Sequence, residues 1–202
     1  MLTKIKNPIK VKGDNSREHL GLVHVITGDG KGKTTSSLGL AVRAVGNNLR
    51  VCMIQFLKSG FTGEIYSAKK LGFEIEQFGV DALKDKQKNL KEFSDKTGSF
   101  TFQPDIKEKD AALQGWEHCK KTIRSGEYDM VIMDEINCVL EKNLIPINEV
   151  LDVIKNHGKV ELVLTGRDAP QEIMELADYV NVVHGVKHPW QKGIIARKGI
   201  EY

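Results

Sequence analysis

Short apolar runs rich in β-branched residues alternate along this chain with longer stretches of helical periodicity. Because such runs are typical of buried strands, we expect six β-strands, at residues 22–27, 50–57, 73–78, 128–135, 160–166 and 179–185. Residues 194–202 are expected to add a short further strand. The stretches between the runs predict helices at residues 33–46, 64–72, 145–158 and 169–178, and another that begins after Asp105 as its N-cap.

This alternation predicts an α/β fold with a mostly parallel central sheet of about six strands and helices on both faces. In such sheets, ligands bind at the carboxyl ends of the strands. The unusual polar residues of the chain follow strands, so we expect the functional site at that edge. The length of 202 residues suits a single core. We interpret residues 1–20 as an N-terminal tail and residues 21–202 as the domain.

A glycine-rich segment lies between the first strand and the first helix, where it could cradle the phosphates of a nucleotide. The usual P-loop ends in Gly-Lys-Thr, which Gly32, Lys33 and Thr34 supply, but its first glycine comes one residue late, at Gly28. Backbone N–H groups of such a loop bind anions, helped by the helix dipole. The expected ATP phosphate site comprises Gly28, Asp29, Gly30, Lys31, Gly32, Lys33, Thr34 and Thr35.

Two acids, Asp134 and Glu135, end the fourth strand, as the metal-binding carboxylates of P-loop proteins do. With the hydroxyl of Thr34 they are the candidate ligands of Mg²⁺ or Mn²⁺. An alternative is that the two acids cap the following helix. Arg167 follows the fifth strand, where its guanidinium suits phosphate recognition, and a surface arginine is the alternative. Arg43 lies on the P-loop helix, and a nucleotide contact and a salt bridge are both open for it.

Charge and composition argue against a nucleic-acid-binding, membrane or secreted protein. The net charge of +3 is concentrated in the tail, because four lysines precede Asp14; without them the chain has 26 basic and 27 acidic residues. A nearly neutral body argues against nucleic acid as a partner.

No apolar stretch reaches the roughly 18 residues of a membrane helix, and the N-terminal segment lacks the core of a signal peptide. Three scattered cysteines form neither a disulfide framework nor a metal pair, so we expect a cytoplasmic protein.

Residues 79–104 have no clear period and are long for a plain connection, as lids and binding loops tend to be. Within this loop, Phe100 and Phe102 would lie on one side of an extended segment. Composition alone favours core aromatics for both.

Taken together, these motifs resemble the P-loop ATP:corrinoid adenosyltransferases, alkyl transferases that make adenosylcobalamin. The likeness runs from about Gly21 to Tyr202. It rests on segments that follow the family's order: TGDGKGKTTSSLGLAVRAVG, QFLKSG, FTF, YDMVIMDEIN, TGRDAPQEIMELAD, VKH and ARKGIEY. The resemblance implies a three-layer RecA-like P-loop fold. It also implies that ATP and a corrinoid such as cobalamin are the substrates.

The resemblance implies a reaction in which the cobalt(I) of a reduced corrinoid attacks the 5′-carbon of ATP, and tripolyphosphate leaves. Lys33 and its loop would then stabilise the leaving group, and Glu135 would serve metal binding and orientation rather than water activation. Phe100 and Phe102 would line the corrinoid pocket and displace the lower cobalt ligand, although the family is expected to carry tryptophan at position 102.

The resemblance further implies a homodimer in which an N-terminal segment covers the partner's site, and a reduced flavoprotein as electron donor. The short tail, interrupted by Pro8 and Gly13, departs from that pattern. His188 belongs to the C-terminal motif, and we favour a structural role for it because it has no partner histidines at metal spacing.

Two other functions are open at this point. A small RecA-like NTPase or kinase would cleave a phosphoanhydride bond with Glu135 as base. A non-catalytic carrier would bind a corrinoid and a nucleotide without turnover.

Overall fold

The computed structural model describes residues 17–60, 62–79 and 106–202. Residues 1–16, Phe100, Phe102 and Asp105 lie outside these ranges, so the expectations that concern them stay predictions.

The centre of the molecule is a six-stranded sheet, and every strand lies within the run that predicts it. The strands are β1 (Val23–Thr27), β2 (Val51–Phe56), β3 (Glu74–Phe78), β4 (Met130–Asp134), β5 (Glu161–Thr165) and β6 (Tyr179–Val182). Their order across the sheet is β3-β2-β4-β5-β1-β6, and all neighbouring pairs are parallel. The carboxyl ends of β1, β4 and β5 therefore meet at one edge, where the P-loop, the paired acids and Arg167 follow them.

In the ranges that the structure describes, six α-helices accompany the strands. They are α1 (Lys33–Val45), α2 (Gly63–Leu71), α3 (Ile106–Arg124), α4 (Ile136–Glu141), α5 (Ile147–Asn156) and α6 (Gln171–Leu176), and a 3-10 turn follows at Pro189–Lys192. The five predicted helices are confirmed. The sequence did not predict α4, because six residues are too few to show a helical period.

Helices cover both faces of the sheet and form two apolar cores. On one face α1 and α2 pack through Ala41, Ala44 and Ala68. On the other face α3 contributes fully buried Trp116, and α4, α5 and α6 complete the layer. The apolar face of α3 also includes fully buried Cys119, whereas the neighbouring Lys120 forms an ion pair with Glu149.

Two expectations were wrong at the C-terminal end. The further strand at residues 194–202 is replaced by turns, because Gly193 and Gly199 adopt φ values of +73° and +78°. Strand β6 was expected to be buried, yet all four of its residues are exposed, because it is one of the two edge strands of the sheet. Among the described helices, none is long and apolar enough to span a bilayer.

Candidate active site

A cavity of about 790 Å³ opens at the carboxyl edge of the sheet, between the P-loop and the C-terminal segment. It brings together nine of the predicted site residues: Asp29, Gly30, Lys31, Gly32, Lys33, Thr34, Thr35, Glu135 and Arg167. The C-terminal side adds Gly185, His188, Trp190, Gln191, Ile200 and Glu201. The predicted phosphate site and the ends of β4 and β5 therefore form one concave surface.

The P-loop is held against the chain that leaves β6. The N–H of Gly30 donates to the carbonyl of Val183 at 2.8 Å. A Cβ at Gly28 would lie 2.4 Å from that carbonyl oxygen, and one at Gly30 would lie 2.7 Å from the backbone carbon of His184. Gly28 also has a φ of +104°, so the late first glycine is required both by space and by conformation.

Lys33 lies folded across its own loop. Its ammonium donates to the carbonyls of Gly28 at 2.7 Å and Gly30 at 2.8 Å, and the residue is only 8% exposed. The charge is thus held at the floor of the cavity without an anionic side chain as partner in these bonds. A phosphate oxygen would offer the same ammonium a stronger, charged acceptor.

Asp134 is fully buried and both of its carboxylate oxygens are hydrogen-bonded. Oδ1 accepts from the hydroxyls of Thr34 at 2.9 Å and Thr165 at 2.6 Å. Oδ2 accepts from Gln55 at 3.1 Å and from the ammonium of Lys58 at 2.5 Å. The carboxylate is therefore fixed by side chains from two neighbouring strands, from the segment after β2 and from the P-loop helix.

This donor set fits Mg²⁺. Because the Thr34 hydroxyl gives its proton to Asp134, its oxygen lone pairs are left to accept a cation. Glu135 also lines the cavity, where its carboxylate would offer a second oxygen ligand. Hard oxygen donors of this kind are those that Mg²⁺ prefers.

Glu135 takes a left-handed backbone conformation, with a φ of +68°. It occupies the N-cap position of α4, but its side chain makes no capping hydrogen bond. Instead its Oε2 accepts from the thiol of Cys138 at 2.9 Å, and its N–H donates to the hydroxyl of Thr165 at 3.0 Å. A non-glycine residue keeps this conformation only where its surroundings impose it. In this conformation Glu135 lines the cavity.

The thiol of Cys138 stays a hydrogen-bond donor. Burial, followed by the charge of Glu135, raises the pKa of Cys138 to about 12. Its sulfur also accepts from the N–H of Arg167 at 3.3 Å. The thiol therefore links the acid that ends β4 to the arginine that follows β5.

The two predicted arginines are placed differently. Arg167 is exposed and lines the cavity. Arg43 is exposed in the last turn of α1, ten residues after Lys33, which corresponds to about 15 Å along the helix. The structure does not bring Arg43 to the described cavity.

Comparison with known proteins decides the family. Residues 19–202 match the family described as ATP:corrinoid adenosyltransferase BtuR/CobO/CobP. The chain belongs to the ATP:corrinoid adenosyltransferase family. The predicted class of activity is thereby confirmed: this is a corrinoid adenosyltransferase enzyme, with ATP and a corrinoid as its substrates.

Curated relatives agree with this assignment over nearly the full chain. The chain is 32% identical to the corrinoid adenosyltransferase CobA of Salmonella typhimurium, covering 98% of this chain and 94% of the relative. It is 30% identical to the corrinoid adenosyltransferase of Escherichia coli with the same coverage. The corrinoid adenosyltransferase of a Sinorhizobium species is 33% identical over 90% of this chain and 80% of its own.

A solved structure supports the fold alone. The flagellar accessory protein FlaH of Methanocaldococcus jannaschii is similar with a TM-score of 0.52 and 15% identity, over 81% of this chain and 71% of FlaH. Together with the all-parallel sheet and the helices on both of its faces, this confirms the predicted α/β fold.

In this adenosyltransferase, the C-terminal segment forms the cavity wall that faces the P-loop. His188 caps the 3-10 turn, because its Nδ1 accepts from the N–H of Trp190 at 3.2 Å; the structural role favoured above is thus present, although His188 also lines the cavity. Glu201 pairs with Lys31 at 3.2 Å. Hydrogen bonds from Arg197 lower the pKa of Glu201 to about 2, so it stays charged.

Sequence reasoning missed several residues of the site: Gln55, Lys58, Thr165, Trp190, Gln191 and Glu201. Thr165 and Lys58 lie at the ends of predicted strands at the functional edge, and this position could have identified them as site residues. Gln55 could have been identified because it is a polar residue inside an apolar run.

Proposed function

We propose that this adenosyltransferase transfers the 5′-deoxyadenosyl group of ATP to the cobalt(I) of a reduced corrinoid and releases tripolyphosphate. The observation that carries this proposal is the arrangement of Lys33, Thr34 and the P-loop backbone at the floor of the cavity. A site of this kind is suited to hold a chain of phosphates as one unit.

In the proposed reaction the bond between the 5′-carbon and its oxygen breaks, and the carbon–cobalt bond forms with the electron pair of cobalt(I). The leaving oxygen takes the other pair, so negative charge grows on the tripolyphosphate. Lys33 would exchange its two carbonyl acceptors for phosphate oxygens, and the loop N–H groups would donate beside it. Fixed donors aimed at developing charge are a principal source of catalysis.

Thr34 and Glu135 are the residues we propose to hold Mg²⁺, with Asp134 fixing the Thr34 hydroxyl. Bound Mg²⁺ would supply positive charge to the phosphate oxygens. Cobalt(I) carries its own electron pair, so the reaction has no proton that a general base must remove. Glu135 is therefore assigned to binding and orientation, in keeping with its hydrogen bond from Cys138.

The resemblance supports further proposals about partners. Phe100 and Phe102 would line the corrinoid site and displace the lower cobalt ligand, and the enzyme would act as a homodimer with the N-terminal segment covering the partner's site. A reduced flavoprotein would supply the electron for cobalt(I). A cytoplasmic location agrees with the free thiols of Cys52, Cys119 and Cys138.

An anaerobic assay tests the proposed reaction. Protein, chemically reduced cobalamin, Mg²⁺ and ATP are mixed, and the cobalt(I) absorbance and the phosphate products are followed. We expect a light-sensitive adenosyl product and tripolyphosphate in equal amounts, with negligible phosphate release when the corrinoid is omitted. Orthophosphate as the main product would show instead that the enzyme cleaves a phosphoanhydride bond, and an unchanged corrinoid spectrum would contradict transfer.

A further inference from the structure

Lys58 supplies the positive charge that faces the buried carboxylate of Asp134. Its ammonium lies 2.5 Å from Oδ2 of Asp134 and 3.3 Å from the hydroxyl oxygen of Thr34. The Lys58 side chain is 26% exposed, whereas Asp134 is fully buried. Among residues 17–60, 62–79 and 106–202, no other basic side chain forms an ion pair with Asp134. An ion pair of this kind offsets part of the cost of burying a carboxylate.

The backbone of Lys58 is anchored just beyond the end of β2. The preceding Leu57 adopts a φ of +56°, and its N–H donates to the carbonyl of Phe78 at 3.0 Å. Gly79 lies so close that a Cβ there would be 2.5 Å from the carbonyl oxygen of Lys58. The backbone of Lys58 is therefore fixed. The ion pair with Asp134 can break only through a change in the conformation of the Lys58 side chain.

The other partner of Oδ2 is held more firmly. Gln55 lies opposite Asp134 in the register of β2 and β4 and is fully buried. Its Nε2 donates to Oδ2 at 3.1 Å and to Glu64 at 3.3 Å, while its Oε1 accepts from Gln77 at 2.9 Å. Movement of Lys58 alone would therefore leave Oδ2 with one hydrogen bond and one accessible lone pair.

We propose that Lys58 is a tethered cation that holds the divalent-metal position of the nucleotide-free enzyme and that an incoming metal ion must displace it. The ammonium lies against the oxygen of Thr34 and against Asp134, the residue that fixes Thr34. A divalent ion and an ammonium that share the oxygen of Thr34 repel each other strongly in a partly buried site. The two cations should therefore exclude each other, and Lys58 should weaken metal binding in the absence of ATP. This inference rests on the magnesium site of the proposed function.

The test is a titration of the nucleotide-free, corrinoid-free full chain with Mn²⁺, in which the free ion is measured by electron paramagnetic resonance. Lys58→Gln should bind one Mn²⁺ roughly tenfold tighter than the wild type, or more, because a partly buried competing charge is gone. Lys58→Arg, which keeps the charge, should bind as weakly as the wild type. Lys120→Gln is the matched control, since it removes an ion pair to Glu149 on the opposite side of the sheet from α1.

Adding Thr34→Val to Lys58→Gln should abolish the gain, which would locate the ion at this site. The proposal is overturned if Lys58→Gln binds Mn²⁺ no tighter than the wild type, or if the gain survives the loss of the Thr34 hydroxyl.

A second measurement uses only the wild type, so it tests the displacement of Lys58 even if Lys58→Gln fails to fold. Acetylation of individual lysines in the wild type is followed by mass spectrometry at rising Mg²⁺. The rate at Lys58 should increase as its ion pair is displaced, while that at Lys120 should stay constant; an unchanged rate at Lys58 under saturating Mg²⁺ would refute the exchange. Neither experiment contains ATP or corrinoid, so a failure of the exchange and a failure of the transfer reaction are distinguishable.

Discussion

Thr165 donates a hydrogen bond of 2.6 Å to Oδ1 of Asp134, so the last residue of β5 fixes the carboxylate that ends β4. The same hydroxyl oxygen accepts the N–H of Glu135 at 3.0 Å. One side chain therefore positions both acids, and through Asp134 it also orients the hydroxyl of Thr34.

Replacement of Thr165 should reveal this double role. Thr165→Val keeps the shape of the side chain but leaves the buried oxygen of Asp134 and the N–H of Glu135 each short of a partner. We expect the free energy of unfolding in urea to fall by about 1–3 kcal/mol, and the affinity for ATP to fall with it. Thr165→Ser keeps the hydroxyl and serves as control; equal losses in both variants would contradict the hydrogen-bonding role.

Removal of the lysine at the floor of the cavity should affect catalysis far more than stability. Lys33→Gln should lower kcat/KM in the anaerobic transfer assay by about 100-fold or more, because a donor to the leaving group is lost. Lys31→Gln is the matched comparison, since its ammonium is half exposed and pairs with Glu201. The assignment of Lys33 would fail if the two variants lost activity to the same small extent.

A methyl group at Gly30 should push the P-loop away from the end of β6. A Cβ there would lie 2.9 Å from the backbone nitrogen of Gly185, as well as against His184. We expect Gly30→Ala to weaken binding of ATP and of tripolyphosphate alike, as isothermal titration calorimetry would measure. Gly39→Ala lies within α1 with open space around it, so it should leave binding unchanged and raise the free energy of unfolding by about 0.5–1 kcal/mol.

The stability of the enzyme should depend on pH through Asp129. Hydrogen bonds from the guanidinium of Arg50 are the main cause of a lowered pKa for Asp129, and Arg17 adds charge at 3.1 Å. Since the pKa is lower in the folded chain than the roughly 3.9 of an unfolded aspartate, the stabilisation is present above that value. It is lost as the pH falls through the folded pKa.

Asp129→Asn should therefore lower the free energy of unfolding at pH 7 by about 1–3 kcal/mol, because the bonds to a charged acceptor are lost. The difference from the wild type should shrink as the pH approaches 3. Asp152→Asn, on the exposed face of α5, should change stability by less than about 0.5 kcal/mol. A deficit of Asp129→Asn that is the same at pH 7 and pH 3 would rule out the ionised carboxylate as the cause.

The sequence predicted most of the fold because its signals are local. Most strands are apolar runs between turn residues, and the P-loop and the paired acids follow strands directly. The structure adds what depends on strand order. Gln55 lies opposite Asp134 only because β2 pairs with β4, and Thr165 reaches it only because β5 pairs on the other side.

Other differences have equally physical causes. The exposure of β6 follows from its place at the edge of the sheet, which no local pattern reveals. Arg43 shares a helix with Lys33, and the ten residues between them correspond to about 15 Å along that helix, so the predicted helix already argued against a contact with the loop. Trp190 enters the cavity wall through a 3-10 turn shaped by Pro189 and Gly193 rather than through a helix or strand.

The environment that raises the pKa of Cys138 has a practical consequence, because the thiolate is the form that reacts with maleimides and haloacetamides. Burial likewise raises the pKa of Cys52 to about 12 and that of Cys119 well above its usual range. The three native cysteines should therefore be slow to label. A single cysteine introduced on the surface could therefore carry a fluorophore or spin label while the native cysteines stay unlabelled. Motions of the P-loop could then be followed without first replacing the three native cysteines.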